Sequence, residues 1–197
     1  MDTTETRATI QLSATALAAR ITAGYLSAVE AVEAFIARIE QVNPAINAVV
    51  VKRYDEARAE AQAADARRAA GEPLGPLHGV PVTIKESLDL AGTPSTFGMP
   101  SRAHMLADAD DVYVARLRAA GAIVLGKTNV AQALLYNESD NPVYGRTNNP
   151  WNVGRTPGGS SGGQAAIVAA GGAPLGLGTD LAGSIRTPST YCGVVGM

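Results

Sequence analysis

Strand-length apolar runs separated by helix-length segments constrain this chain more than any other feature. Val80-Pro81-Val82-Thr83-Ile84 is a β-branched run, Ala122 to Leu125 is a second apolar run, and Ala173 to Leu177 is a third. Between the first two, Val112, Val114, Leu117 and Ala120 recur at helical spacing, and between the second and third Gln164 to Ala170 reads as a helix. Strands alternating with helices place the chain in the α/β class. Pro81 has no N–H for a ladder, so it marks a sheet edge or the start of a strand.

The first 70 residues read as helical. Ser27 and Glu30 have the spacing of a capping box, and Val29, Val32, Phe35, Ile36 and Ile39 then form an apolar stripe. Asn43-Pro44 is expected to end that helix, Ala48 to Val51 to form a short strand, and Tyr54 to Ala70 to form a solvated outer helix. From Asn141 to Gly163 the chain is rich in Gly, Pro and Asn, which implies a long ordered loop or a linker. No internal repeat and no boundary between two domains is visible.

Hydrophobic residues make up 46% of the 197 and charged residues 17%, so disorder is not expected. A net charge of −2 gives no electrostatic reason for nucleic acid or an anionic membrane as a partner. Cys192 is the one cysteine, which suits a reducing compartment. Met1 to Arg7 lacks an apolar signal-peptide core, and no window has the length of a membrane span. The expectation is a soluble cytoplasmic protein.

Several motifs compete for the chemistry. Gly121-Ala122-Ile123-Val124-Leu125-Gly126-Lys127-Thr128 matches the phosphate-loop pattern. Its four middle residues belong in a sheet, however, and a strand cannot converge its N–H groups on one anion. Lys127 then reads as structural. Gly159-Ser160-Ser161-Gly162-Gly163 matches a nucleophile elbow, which would nominate Ser161 and need a later histidine. Both histidines, His78 and His104, lie upstream. Glycines flanking two serines also suit a flexible linker.

Lys85 closes the run from Gly79 to Ile84, where burial would disfavour its charged form. An exposed edge position, or an ion pair with Glu86, is the plainer alternative. Ser184 follows Gly178-Thr179-Asp180-Leu181-Ala182-Gly183, small residues that let backbone N–H groups converge as an oxyanion hole requires. A helix N-cap ahead of Ile185 fits that serine equally well.

Together, Ile84-Lys85, Gly158 to Gly163 and Gly178 to Pro188 resemble the amidase signature family, well from Gly79 onward and loosely over the first 70 residues. The spacings also match, with 75 residues from lysine to first serine and 24 between serines. The resemblance implies a mixed central β-sheet flanked by helices. It assigns Lys85 as base, Ser160 as relay after a cis Gly159–Ser160 bond, and Ser184 as nucleophile. Leu181, Ala182, Gly183 and Ser184 would supply oxyanion N–H groups, with Ser161, Asp180 and Arg186 in support. Glu86 must then point away from Lys85, as alternation along a strand allows. Ala182 departs from the glycine of many relatives, which puts loop shape in doubt.

The implied activity is hydrolysis of a small-molecule carboxylic acid amide to acid and ammonia or amine, with no metal or other cofactor. Asn137 to Trp151 resembles general amidases more than the glutamine-hydrolysing subunit of a tRNA-dependent amidotransferase, which stays as an alternative. Family members are longer. The chain therefore reads as one domain, 1–197, truncated at the C-terminus, with a helical region 1–70 and a catalytic core segment 79–197. Such a segment is expected to be inactive unless a complementary C-terminal piece or a second copy completes it. The remaining alternative is an inactive fragment that only binds partners.

Overall fold

A capping box starts the longest helix: the Ser27 hydroxyl accepts from the Glu30 N–H at 3.0 Å, and the Glu30 carboxylate accepts from the Ser27 N–H at 2.8 Å. The structure, a computed structural model, describes residues 3–197. Helices α1 (Thr3–Thr9), α2 (Ala14–Thr22) and α3 (Ala28–Ile46) come first, then strand β1 (Val49–Lys52) and helix α4 (Tyr54–Ala69). Strand β2 (Pro81–Lys85), helix α5 (Val112–Ala119), strand β3 (Ile123–Thr128), helix α6 (Gly162–Ala169), strand β4 (Gly176–Leu177) and helix α7 (Arg186–Cys192) follow.

Two expectations for the helical region need correction. Pro44 lies inside α3 and does not end it. The helix stops three residues later, where Asn47 turns left-handed at φ 47 and its N–H reaches the Asn43 carbonyl at 2.8 Å. The Asn43 side chain then accepts from the N–H groups of Ala48 and Val49, both at 2.8 Å, and so closes the helix end. Helix α4 is not merely an outer helix either. Ala57, Ala61 and Ala64 are buried on one face against α3, and their small side chains permit a close approach.

The four strands form one mixed sheet in the order β1-β3-β2-β4, with β1 antiparallel to β3 and the other pairs parallel. Pro81 opens β2, which is an interior strand, so the proline marks a strand start. Every residue of β2 and β3 is buried. Helix α6 crosses the sheet, and its Gln164 amide donates to the Thr83 hydroxyl at 2.6 Å. On the helical side Leu17, Ile21, Val32, Phe35 and Ile39 join Ile84, Leu125 and Ile167 in one apolar core.

Ile123 to Thr128 is strand, which removes the phosphate-loop reading. The stretch before α6 is an ordered loop and no linker. Asn141 donates to Asn129 Oδ1 and the Val130 carbonyl, both at 2.8 Å, and Ser139 Oγ donates to the Gly158 carbonyl at 3.1 Å. Gly158 has φ +86, and a Cβ on Gly159 would sit 2.7 Å from the Tyr136 carbonyl oxygen. Only glycine fits either place. No helix among the described residues is long and apolar enough to cross a membrane.

Candidate active site

Alternation along β2 sends successive side chains to opposite faces of the sheet, and the two faces carry different chemistry. Lys85 faces the start of α6. It is fully buried, with Nζ 2.8 Å from Ser160 Oγ, 2.8 Å from Thr179 Oγ1 and 3.4 Å from the Thr179 carbonyl oxygen. Burial pushes its pKa down to about 8, while the Asp180 carboxylate acts in the opposite direction. Glu86 turns to the other face, where its carboxylate accepts from the N–H groups of Thr96 and Phe97 and from the Tyr144 hydroxyl. The ion pair between Lys85 and Glu86 is therefore not formed, and neither is the exposed edge position.

Ser160 and Ser161 sit at the turn into α6, and the Gly159–Ser160 bond is cis. Ser160 is buried against Lys85. Ser161 donates its hydroxyl to the Thr179 carbonyl at 3.2 Å, and its N–H donates to the Ser184 carbonyl at 3.1 Å. That backbone bond brings the second serine of the pair alongside Ser184. The Ser184 hydroxyl has no hydrogen-bond partner among the described residues. Helix α7 begins at Arg186 with Ile185 as its cap, so Ser184 is not the helix cap.

Asp180 organises the loop between them. Its carboxylate accepts from the N–H groups of Gly183 at 2.7 Å, Ile185 at 3.0 Å and Arg186 at 3.1 Å, and pairs with the Arg186 guanidinium at 3.0 Å. These donors hold the Asp180 carboxyl well below the usual carboxylate range. Gly183 departs from the expected oxyanion set, because its N–H is already committed to Asp180. The N–H groups of Leu181, Ala182 and Ser184 have no partner among the described residues. Ala182 stays out of the left-handed region while Gly183 has φ +109, so the added methyl does not distort this loop.

His78, the buried histidine, lies 3.1 Å by Nε2 from the Ala64 carbonyl, away from Ser161. Among the described residues no histidine hydrogen-bonds to Ser161, as the nucleophile-elbow reading would need. Sequence reasoning does not single out Thr179. It stands inside the quoted Gly178-Thr179-Asp180 run, but its role appears only when Lys85 arrives from 94 residues away. Beside the site, a groove of about 260 Å³ runs between Ser161, Gly178, Ile185, Val195 and Met197. Strand β4 pairs with β2 on one side and with nothing described on the other.

The family model for Amidase matches residues 30–197. The chain belongs to the amidase-signature family. An acylamidase of Rhodococcus erythropolis is 49% identical over 94% of this chain and 39% of its own length. A glutamyl-tRNA(Gln) amidotransferase subunit of Thermobifida fusca is 46% identical over 95% of this chain and 38% of its own. A solved fatty acid amide hydrolase superposes with a TM-score of 0.93 at 35% identity, covering 97% of this chain and 34% of that one. A bacterial aryl acylamidase of the amidase-signature family superposes at 0.87 with 39% identity, covering 90% and 37%. This amidase-signature chain thus spans well under half the length of the relatives it matches.

Proposed function

We propose that this amidase-signature chain carries the machinery for hydrolysing a carboxylic acid amide, with Ser184 as nucleophile, Ser160 as relay and Lys85 as base. The observation that carries the reading is the buried Lys85 Nζ at 2.8 Å from Ser160 Oγ, with Ser161 bonded to the backbone of Ser184 next door. As Ser184 Oγ attacks the amide carbon, its proton passes to Ser160, whose own proton passes to neutral Lys85. The same path reversed protonates the departing amine, and water then releases the acid from Ser184. The N–H groups of Leu181, Ala182 and Ser184 supply the oxyanion donors. Burial supports this scheme by bringing Lys85 down to about 8, so that the neutral amine, which a solvated lysine at about 10.4 scarcely populates, becomes a minor but accessible form at neutral pH and grows as pH rises.

Turnover is proposed to need more sheet beyond β4. The groove beside the site is small against ligand sites of about 300–1,000 Å³, and Leu175, Val195 and Met197 line it while exposed. The nearly equal similarity to an acylamidase and to an amidotransferase component leaves glutamine as a second substrate reading. Asn137 to Trp151 favours the general amidase.

The test is labelling with an alkyl fluorophosphonate, on the chain alone and with the C-terminal remainder of the Rhodococcus acylamidase added. Modification at Ser184 that disappears in Ser184→Ala and Lys85→Ala is the expected result. Labelling absent in both arms, or unchanged in either variant, refutes the hydrolytic reading and favours a partner-binding fragment. Full turnover by the chain alone refutes the need for more sheet. Assay of acyl amides against glutamine then separates the two substrate readings.

A further inference from the structure

A neutral primary amine carries two N–H donors and one lone pair. A lysine base therefore works only when its lone pair faces the proton it takes, with both N–H groups directed elsewhere. Three oxygens surround Lys85 Nζ. One belongs to Ser160, at 2.8 Å, and the other two both belong to Thr179, the hydroxyl at 2.8 Å and the carbonyl at 3.4 Å. A carbonyl can only accept, and the Thr179 hydroxyl contacts no other group among the described residues. Thr179 thus offers two acceptors for the two N–H groups and leaves the lone pair to Ser160.

We propose that Thr179 is a positioning residue that turns the Lys85 lone pair toward the Ser160 hydroxyl and so sets the direction of proton transfer. The inference rests on the assignment of Lys85 and Ser160 made above. A second bond fixes Thr179 relative to that serine, since its carbonyl also accepts from the Ser161 hydroxyl at 3.2 Å. One residue therefore ties the end of β2 to the start of α6 and spans the point where the proton moves. The charged neighbour of Lys85 is Asp180, paired with Arg186, while Glu86 and Lys127 face the opposite side of the sheet.

The chain has three lysines, Lys52, Lys85 and Lys127, so ¹³C at lysine Cε gives one resolvable signal for each. Thr179→Val removes the hydroxyl at nearly constant shape, and Thr179→Ser keeps it. An acceptor favours the charged amine, so its loss should move the Lys85 titration midpoint to lower pH in T179V. Fluorophosphonate labelling of Ser184 should slow about 100-fold. T179S should restore both. The Lys127 signal in the same spectra reports whether the fold survives, and T179A replaces T179V if it does not.

An unchanged Lys85 midpoint in the valine variant overturns the inference. So does labelling that is lost in K85A and S184A but unchanged in T179V. Labelling unchanged in K85A and S184A instead sinks the hydrolytic reading itself, and the orienting role falls with it.

Discussion

Lys85 and Lys127 make a natural pair of controls within one sheet. Both are fully buried, both stand on interior strands, and burial holds both down to about 8. They differ in what surrounds them. Ile84 is the register partner of Lys127, so Lys85 and Lys127 project from opposite faces. Lys127 Nζ donates to the Pro94 carbonyl, to Ser95 Oγ at 2.8 Å and to Thr93 Oγ1 at 3.4 Å, and the Glu86 and Asp89 carboxylates act against the effect of burial. That amine ties down the 93–95 segment. Lys85 meets Ser160, whose neighbour Ser161 is bonded through its N–H to the Ser184 carbonyl. A lowered lysine pKa therefore does not mark a catalytic base by itself, since structural burial produces the same shift.

Exchanging each lysine for methionine should break this symmetry most sharply. Lys85→Met is expected to cut Ser184 labelling about 1,000-fold without lowering the melting temperature at pH 7. The buried Ser160 hydroxyl loses a partner, but removing a buried amine that is largely charged at pH 7 offsets that loss, and Thr179 is only half-buried. Lys127→Met should leave labelling within a few-fold and lower stability by about 1–3 kcal/mol, because a backbone carbonyl and the buried Ser95 hydroxyl lose their donor. Equal losses of labelling in the two variants would erase the distinction.

A smaller effect is expected at Asp180. Asp180→Asn removes the charge that pairs with Arg186 and part of the acceptor set that shapes the 181–184 loop. Labelling should slow about 10- to 100-fold. The Lys85 titration should move to lower pH while that of Lys127 stays in place, since Asp180 acts on Lys85 alone. Lysine ¹³C titration checks both.

The smallest effect concerns stability against pH. Each lysine titrates near 8 when folded and near its ordinary 10.5 when unfolded. Between those values the unfolded chain binds more protons, so the lysines make stability rise with pH; below about 8 the cost of burying the charge is fully present. Urea midpoints measured from pH 8 to 10 should climb, and Lys85→Met should flatten that climb by about half. An unaltered slope would show that Lys85 is not buried as described.

The sequence was most legible where local chemistry decides local structure. The Ser27–Glu30 capping box, the apolar stripe through Val32, Phe35 and Ile39, and the strand runs before Lys85 and Thr128 all form within about three residues of their expected places. Family spacing nominated Lys85, Ser160 and Ser184, and the fold brings Lys85 and Ser160 into contact. The errors arose where distant groups intervened. Pro44 stays in its helix because the Asn43 side chain closes the end two residues after Ile46, and α4 is held in by α3. The 158–163 stretch suits a linker by composition alone, while Pro157 and the apolar helix after it argue for order, and Ser139 and Pro188 pack against it in the fold.

By itself, the sequence determined the α/β class, the family and the order of the motif-bearing segments, because periodicity and short motifs are properties of neighbours along the chain. Only the tertiary structure decided which buried lysine faces Ser160, that Gly183 gives its N–H to Asp180, and that Thr179 offers two oxygens to Lys85. Each of those depends on groups 3 to 94 residues apart meeting across a sheet face or a folded loop. Hydrogen bonds act over about 3 Å, and no pattern of residue types states which distant atoms will come that close.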